Sequence, residues 1–295
     1  MVLLTIFTGY VVTSLVLLRY PNLIHRRKEI KFKPRVIGHR GGEFEICITG
    51  VKAGVEMLEL DCQLTKDEQV VVCHDNDLER IAGYDMLVSD TDYEDLPPMK
   101  QNLHVSFSKG VKKITCAQKI SRVVDGISQT FLSNCDCLMQ VSDLVKEYKR
   151  EEITVWGNAN QQIVDKCYKQ NPLIPVMFSM RKVVTTTVFF YLGVLPFLPI
   201  KASFIEIPMP MIFKKFVDID TKYALLISIM DTLLMSKQLF QHLNKRGIQV
   251  YVWVLNEEKE WERALDLGAT GIMTDYPTHL KEFMRKNNNL IKPWA

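Results

Sequence analysis

Met57-Leu-Glu-Leu-Asp-Cys-Gln-Leu-Thr-Lys-Asp-Glu-Gln-Val-Val-Val-Cys-His74-Asp75 sets two short apolar runs on either side of a polar turn. On a β-strand, residues i and i+2 point to the same face. Glu59 and Asp61 therefore project together, with Leu58 and Leu60 on the other side. Two carboxylates held side by side repel unless a positive charge sits between them, and a hard divalent cation is the usual solution. The second run, Val70-Val-Val-Cys73, ends in His74, where a side chain can reach the same space. Upstream, Val36-Ile-Gly-His39-Arg40-Gly-Gly42 follows the same plan: a short strand, then a histidine, an arginine and two glycines. Two histidines, an arginine and a carboxylate pair are the groups that metal-assisted cleavage of a phosphodiester needs.

Outward from these segments, apolar runs of strand length recur at 35–39, 57–63, 70–74, 153–157, 174–179, 204–208, 248–255 and 271–274. Helical patterns fill gaps between them at 140–149, 159–170, 236–246 and 257–267, with Gly247 and Gly268 where C-caps belong. Strand-helix alternation implies a parallel sheet. This many units in one domain predict an α/β fold of the (β/α)8, TIM-type barrel class. In such a barrel the chemistry gathers at the C-terminal ends of the strands. His39, Glu59, Asp61, His74 and Trp253 all fall at or near such ends. Trp253 reads most simply as barrel core, with a substrate-stacking role at the pocket rim as the sharper reading.

The ordered set His39-Arg-Gly-Gly42, Glu59-Leu-Asp61 and His74-Asp75 resembles the glycerophosphodiester phosphodiesterase family, nearest to its membrane-bound lysophospholipase D branch. Thr154-Val-Trp-Gly-Asn158, Val250-Tyr-Val-Trp-Val-Leu-Asn-Glu-Glu258 and Gly271-Ile-Met-Thr-Asp-Tyr-Pro277 extend the resemblance over most of the chain. The resemblance implies His39 and His74 as an acid/base pair and Arg40 as the phosphate-binding arginine. It also implies Glu59 and Asp61 as ligands of a divalent cation, Mg²⁺ or Ca²⁺, which His74 touches as well. Two segments depart from the family pattern. Residues 43–50 lack the Glu-Asn-Thr element that opens a helix, and 114–140 lack the acidic strand that carries a further ligand. The sequence leaves open whether Glu43, Glu45, Asp136 or Asp143 takes over for the missing carboxylate.

At 295 residues, the chain can hold one large α/β domain or two small ones. A formal net charge of +3 is too small to argue for nucleic acid as a partner. The seven cysteines are odd in number and follow no framework spacing, so they read as reduced thiols, and Cys135-Asp-Cys137 lacks the second pair a zinc site needs. From Val2 to Leu18 there is no charge, and Arg19, Arg26, Arg27, Lys28, Lys31, Lys33 and Arg35 follow. A cleaved signal peptide would want a basic start and a small-residue cleavage site. The expected organisation is therefore a transmembrane anchor at 1–20, a basic linker at 21–34 and a barrel at 35–295. By the positive-inside rule the barrel is cytosolic, on the endoplasmic reticulum or another internal membrane.

A second uncharged stretch, 183–200, reads as an interfacial hairpin dipping into one leaflet, with a buried core helix as the plainer alternative. Because it follows the 174–179 strand, it is expected on the active-site face, which tilts the substrate from glycerophosphodiesters towards lysophospholipids and membrane lipid. Metal-dependent hydrolysis would then give lysophosphatidic acid and a head-group alcohol.

Plainer readings compete at each position. A lone Glu-X-Asp on a strand is more often a solvated edge, but here apolar flanks and a following His-Asp favour a site. His39 could be an ordinary turn histidine. Asp75 either caps a turn or orients His74. His25, His104, His242 and His279 read as surface residues. The competing function is a catalytically inactive, membrane-bound relative that has lost its full metal site. A phosphoinositide-type phospholipase C would need a basic inositol-phosphate pocket that the sequence does not display.

Overall fold

The computed structural model describes residues 1–41, 54–100, 130–133, 138–215 and 221–288. The strands are β1 (Val36–Gly38), β2 (Met57–Leu64), β3 (Val70–Val72), β4 (Thr130–Ser133), β5 (Thr154–Trp156), β6 (Phe204–Pro208), β7 (Gln249–Trp253) and β8 (Gly271–Thr274). Seven lie side by side in the order β5-β4-β2-β1-β8-β7-β6, every neighbouring pair parallel. Between the two outer strands runs the segment 175–178. Met177 N–H donates to Trp156 O at 3.0 Å and Phe178 N–H donates to Phe204 O at 2.9 Å. These bonds join β5 to β6 and complete the ring of a (β/α)8 barrel, as expected.

The staves are not quite the predicted eight. Residues 70–74 were expected in the parallel sheet, yet β3 runs antiparallel to the outer half of β2, with Cys62 opposite Val72. With eight residues β2 outlasts its parallel neighbours, and the turn at 65–69 folds the chain back along it. The missing stave is β4, from the segment where no acidic strand was found. It pairs with both β2 and β5.

The helices are α1 (Val2–Arg19), α2 (Leu138–Glu147), α3 (Gln161–Gln170), α4 (Met180–Tyr191), α5 (Thr221–Leu234), α6 (Lys237–Lys245), α7 (Glu258–Leu267) and α8 (Pro277–Lys286). Their starts follow capping chemistry. Asn160, Ser179 and Ser236 each accept an N–H of the first turn, and Glu257 with Glu260 forms a reciprocal capping box. Gly268 ends α7 at φ 94°, and Gly247 follows α6 at φ 75°, both in the left-handed region. The hairpin expected at 183–200 is instead α4 followed by the short turn Leu195–Phe197. The reason is local: Pro196 and Pro199 fall after α4, and the Ser179 cap starts it. Neither α5 nor α8 was anticipated.

Inside the ring, Ile37, Met57, Val155, Met177, Phe204, Tyr251 and Met273 form one buried cluster, with Phe32 stacked beneath Phe204. One alternation further towards the C-terminal end of each stave come His39, Glu59, Gly157, Ser179, Glu206, Trp253 and Asp275. The apolar layer is thus the floor and the polar layer the mouth.

At the opposite end of the barrel, α1 lies against the chain that leaves α4. Tyr10 Oη–H donates to Leu192 O at 2.5 Å and Ser14 Oγ–H to Gly193 O at 2.8 Å. His242, expected at the surface, is buried beneath the end of α1, where its Nδ1–H donates to Leu18 O at 3.0 Å. His25 is half-buried, His279 is exposed, and His104 lies outside the described residues.

Candidate active site

β1 ends at Gly38, and the chain turns sharply through His39 and Arg40. Arg40 adopts φ 50° and ψ 38°, a left-handed conformation that non-glycine residues rarely take. That turn aims the Arg40 backbone N–H at Glu59 Oε2, 2.8 Å away, so the first loop grips the acidic strand. Glu59 is buried and Asp61 nearly so, on the inward face of β2.

His39 is clamped from β8. Its Nδ1–H donates to Asp275 Oδ1 at 2.7 Å, which fixes the orientation of the ring. Asp275 is held in turn by Asn256, whose Nδ2–H donates to Asp275 Oδ2 at 2.7 Å and whose Oδ1 accepts the Asp275 backbone N–H at 3.0 Å. Burial alone would lower the His39 pKa, but the hydrogen bond and charge of Asp275, with Glu59 behind them, raise it above the ordinary imidazole range. Burial likewise works against ionised Asp275, and the His39 contact overcomes it, holding that carboxyl below its usual range. The two shifts describe one ion pair.

His74 reaches the same mouth from the β3 hairpin. Its Nε2 lies 3.9 Å from Asp61 Oδ2, and its side chain is 42% exposed. Nδ1–H donates to Asp75, which also pairs with Arg80. Asp75 therefore orients His74, the sharper of its two readings. Arg40, Asp61, His74 and Arg80 line a small cleft of about 50 Å³. A larger cavity of about 660 Å³ lies at the other end of the barrel, where Arg19, Lys28, Lys245 and the starts of β7 and β8 line it, and among the described residues no catalytic set accompanies it.

Sequence reasoning missed two members of this layer. Asp275 lies within the Gly271–Pro277 motif, where the sequence alone gives it no partner. Glu206 stands on β6 across the barrel from β2; burial, followed by the charges of Glu59 and Asp61, pushes its pKa well above the usual carboxyl range. A single acid inside the apolar run Phe204-Ile-Glu-Ile-Pro208 was the available signal. Among the four carboxylates left open, Asp143 sits on α2 beside Lys146 with its side chain 70% exposed, away from the mouth. Glu43, Glu45 and Asp136 lie outside the described residues. On β4 the positions in register with Glu59 and Asp61 are Phe131 and Ser133, so that stave offers no carboxylate. Trp253 is half-buried against the inner cluster, at the rim position of β7.

The family description "Glycerophosphoryl diester phosphodiesterase family" matches residues 44–279. "Lysophospholipase D GDPD1" of Mus musculus is 49% identical over 301 aligned positions, covering 96% of each chain. The chain belongs to the glycerophosphoryl diester phosphodiesterase family. "Lysophospholipase D GDPD3" of Homo sapiens is 35% identical, over 94% of this chain and 93% of its own length. Among solved structures, the glycerophosphoryl diester phosphodiesterase domain of a Mycobacterium tuberculosis protein superposes with a TM-score of 0.65 at 14% identity, over 87% of this chain and all of that one (100%). A putative phosphodiesterase of Silicibacter pomeroyi superposes with a TM-score of 0.61 at 16% identity, over 90% and 96% of the two chains. At such identities these structures speak for the barrel alone. Glycerophosphoryl diester phosphodiesterases hydrolyse phosphodiester bonds, and the family generally uses divalent metal ions.

Among the described residues, no three His, Cys, Asp or Glu side chains converge closely enough to cage an ion unaided. The donor chemistry still fits one. Glu59 and Asp61 adjoin on one strand face, and their field acts on a third carboxylate, Glu206. A Mg²⁺-like ion normally keeps several waters and takes one or two carboxylates plus substrate phosphate, which asks no more than this of the protein.

Proposed function

We propose that this chain hydrolyses lysophospholipids at the head-group side of the phosphodiester, releasing an alcohol such as choline and leaving lysophosphatidic acid. The carrying observation is that His39, Arg40 and Glu59, far apart in chemical role, are locked into one mouth by the Asp275 clamp and the Arg40–Glu59 hydrogen bond. Relatives named lysophospholipase D at 47–49% identity support the substrate class. Glu59 and Asp61 are the residues that would hold Mg²⁺ or Ca²⁺, which supplies charge to a non-bridging phosphate oxygen when bound.

The remaining roles belong to the chain itself. Arg40 clamps the phosphate with its guanidinium. His39, kept proton-rich by Asp275, donates to the departing alcohol oxygen. His74, held through Nδ1 by Asp75, takes a proton at Nε2 from the attacking water, or from the glycerol hydroxyl, whose attack gives a cyclic phosphodiester that water then opens to lysophosphatidic acid. Trp253 packs against the substrate at the rim. The 1–20 segment anchors the enzyme with its barrel in the cytosol, as the basic flank at 19–35 favours.

The test is choline release from lysophosphatidylcholine by purified, folded protein supplied with Mg²⁺ or Ca²⁺, beside the His39→Ala variant. Turnover should vanish with chelator and fall about 10²- to 10⁴-fold in the variant. Absence of turnover in the wild-type protein would leave the inactive membrane-bound relative as the better reading.

A further inference from the structure

Helix α5 is built inside out. Across 222–234 the one buried residue is Asp231, which pairs with Arg263 and accepts the Met211 backbone N–H at 3.1 Å. Ser228 also turns inward, to Lys214 Nζ at 2.9 Å. Tyr223, Leu225, Leu226, Ile229, Met230 and Leu233 face outward, each between 42% and 64% exposed. A helix bathed in water turns its charges out and its apolar stripe in. Here the single acid is hidden and the stripe is bare, the arrangement expected where the surroundings are hydrocarbon.

The bare stripe is not isolated. Tyr191 Oη–H donates to Leu233 O at 3.1 Å, joining α5 to α4, whose Val184 and Val188 are about half exposed (52% and 47%). The end of α4 meets α1 through the Tyr10–Leu192 hydrogen bond. Helix α1 is long and apolar enough to cross a membrane, and the segment 222–245 also meets that criterion. Met211 and Lys214, which hold α5, belong to the turn that leaves the C-terminal end of β6, at the mouth of the barrel.

We propose that α5, with the outer stripe of α4, lies in one leaflet of the bilayer beside α1, so that the flank of the barrel rests on the lipid and only the β6 rim of the mouth reaches its edge. The continuous apolar flank from α1 through α4 to α5 selects a leaflet as the occupant. The inference deepens the lysophospholipid reading, on which it rests for its substrate, by making the bilayer the source of that substrate.

The full chain is reconstituted in phosphatidylcholine vesicles carrying a lipid-borne carbene photolabel, and labelled peptides are mapped by mass. Label within 223–233, as well as within 2–18, is expected. In the variant L226S/I229S/M230S the α5 label should disappear. Turnover of lysophosphatidylcholine held in vesicles should fall about tenfold through KM, as lost apolar contact implies, while water-soluble glycerophosphocholine is hydrolysed as before. Label confined to 2–18 overturns the proposal. So does a variant that merely converts a detergent-soluble dimer to a monomer, since the stripe would then face a second copy. If the wild-type protein hydrolyses neither substrate, the phosphodiesterase reading fails, and the photolabel still decides the placement of α5.

Discussion

Arg40 shows how much of the site depends on single residues. A left-handed non-glycine residue carries roughly 1–2 kcal/mol of strain, and here the Arg40 turn leads its N–H directly to Glu59. Across the barrel, Glu206 carries a different kind of tension. Its folded-state pKa is raised, so it favours the fold at low pH, and that contribution is lost as pH rises through the raised value. Glu206→Gln should therefore raise the melting temperature of metal-free protein at pH 8 more than at pH 4.5, and should shrink the further rise that added Mg²⁺ produces. Calorimetry with and without the ion measures both. At this scale the sequence was informative wherever one strand supplied the whole signal. Glu59 and Asp61 are neighbours on one face, and His39 and His74 each close an apolar run. Asp275 and Glu206 escaped because their meaning comes from partners on other strands. His39 and Asp275 stand 236 positions apart, a distance that periodicity does not see.

Among the elements, the strands with strong alternation were found nearly to the residue: β6 and β8 match the runs expected at 204–208 and 271–274. The two errors compensate each other. Val70-Val-Val72 has the composition of a buried stave, yet the short turn before it permits only an antiparallel return along β2. Thr130-Phe-Leu-Ser133 is too brief to stand out, and pairing on both sides is what makes it a stave. Helix α5 was missed because its apolar residues leave no polar stripe on which a helical period could register. The glycines were read correctly, and Gly247 gives a sharp test. A Cβ built there would lie 2.1 Å from the Lys28 carbonyl oxygen, at a φ of 75° that side chains already resist. Gly247→Ala should destabilise the chain by about 1–3 kcal/mol, as overpacking against fixed backbone does, and should loosen the linker from α6. Urea denaturation gives the magnitude, and proteolysis near Lys28 gives the location.

For the molecule as a whole, ring closure is the central fact. The His39–Asp275 pair ties β1 to β8, so its charge state is felt by the barrel and not only by the site. The sign follows from the two shifts. The raised His39 contributes stability that is complete below the unfolded imidazole value, roughly 6.5, and is lost as pH rises through its folded value. The depressed Asp275 contributes stability that is complete above the unfolded carboxyl value, roughly 3.9, and is lost as pH falls through its folded value. Their joint contribution is therefore greatest between about pH 4 and 6.5. Asp275→Asn should flatten the melting-temperature profile on both sides of that window, besides lowering turnover by freeing the His39 ring. A variant whose profile keeps the wild-type shape would remove the pair from this role.

The order in which the ring is assembled has a consequence for biosynthesis. α1 and His39 are translated before Asp275, which follows His39 by 236 positions. Domains form in step with synthesis, and β1 finds its β8 neighbour only after residue 274 has emerged. Until then a nascent chain holds an open sheet edge on the strand that leads into the active site. Products that stop before residue 275 would lack the aspartate clamp altogether, whatever else they had folded.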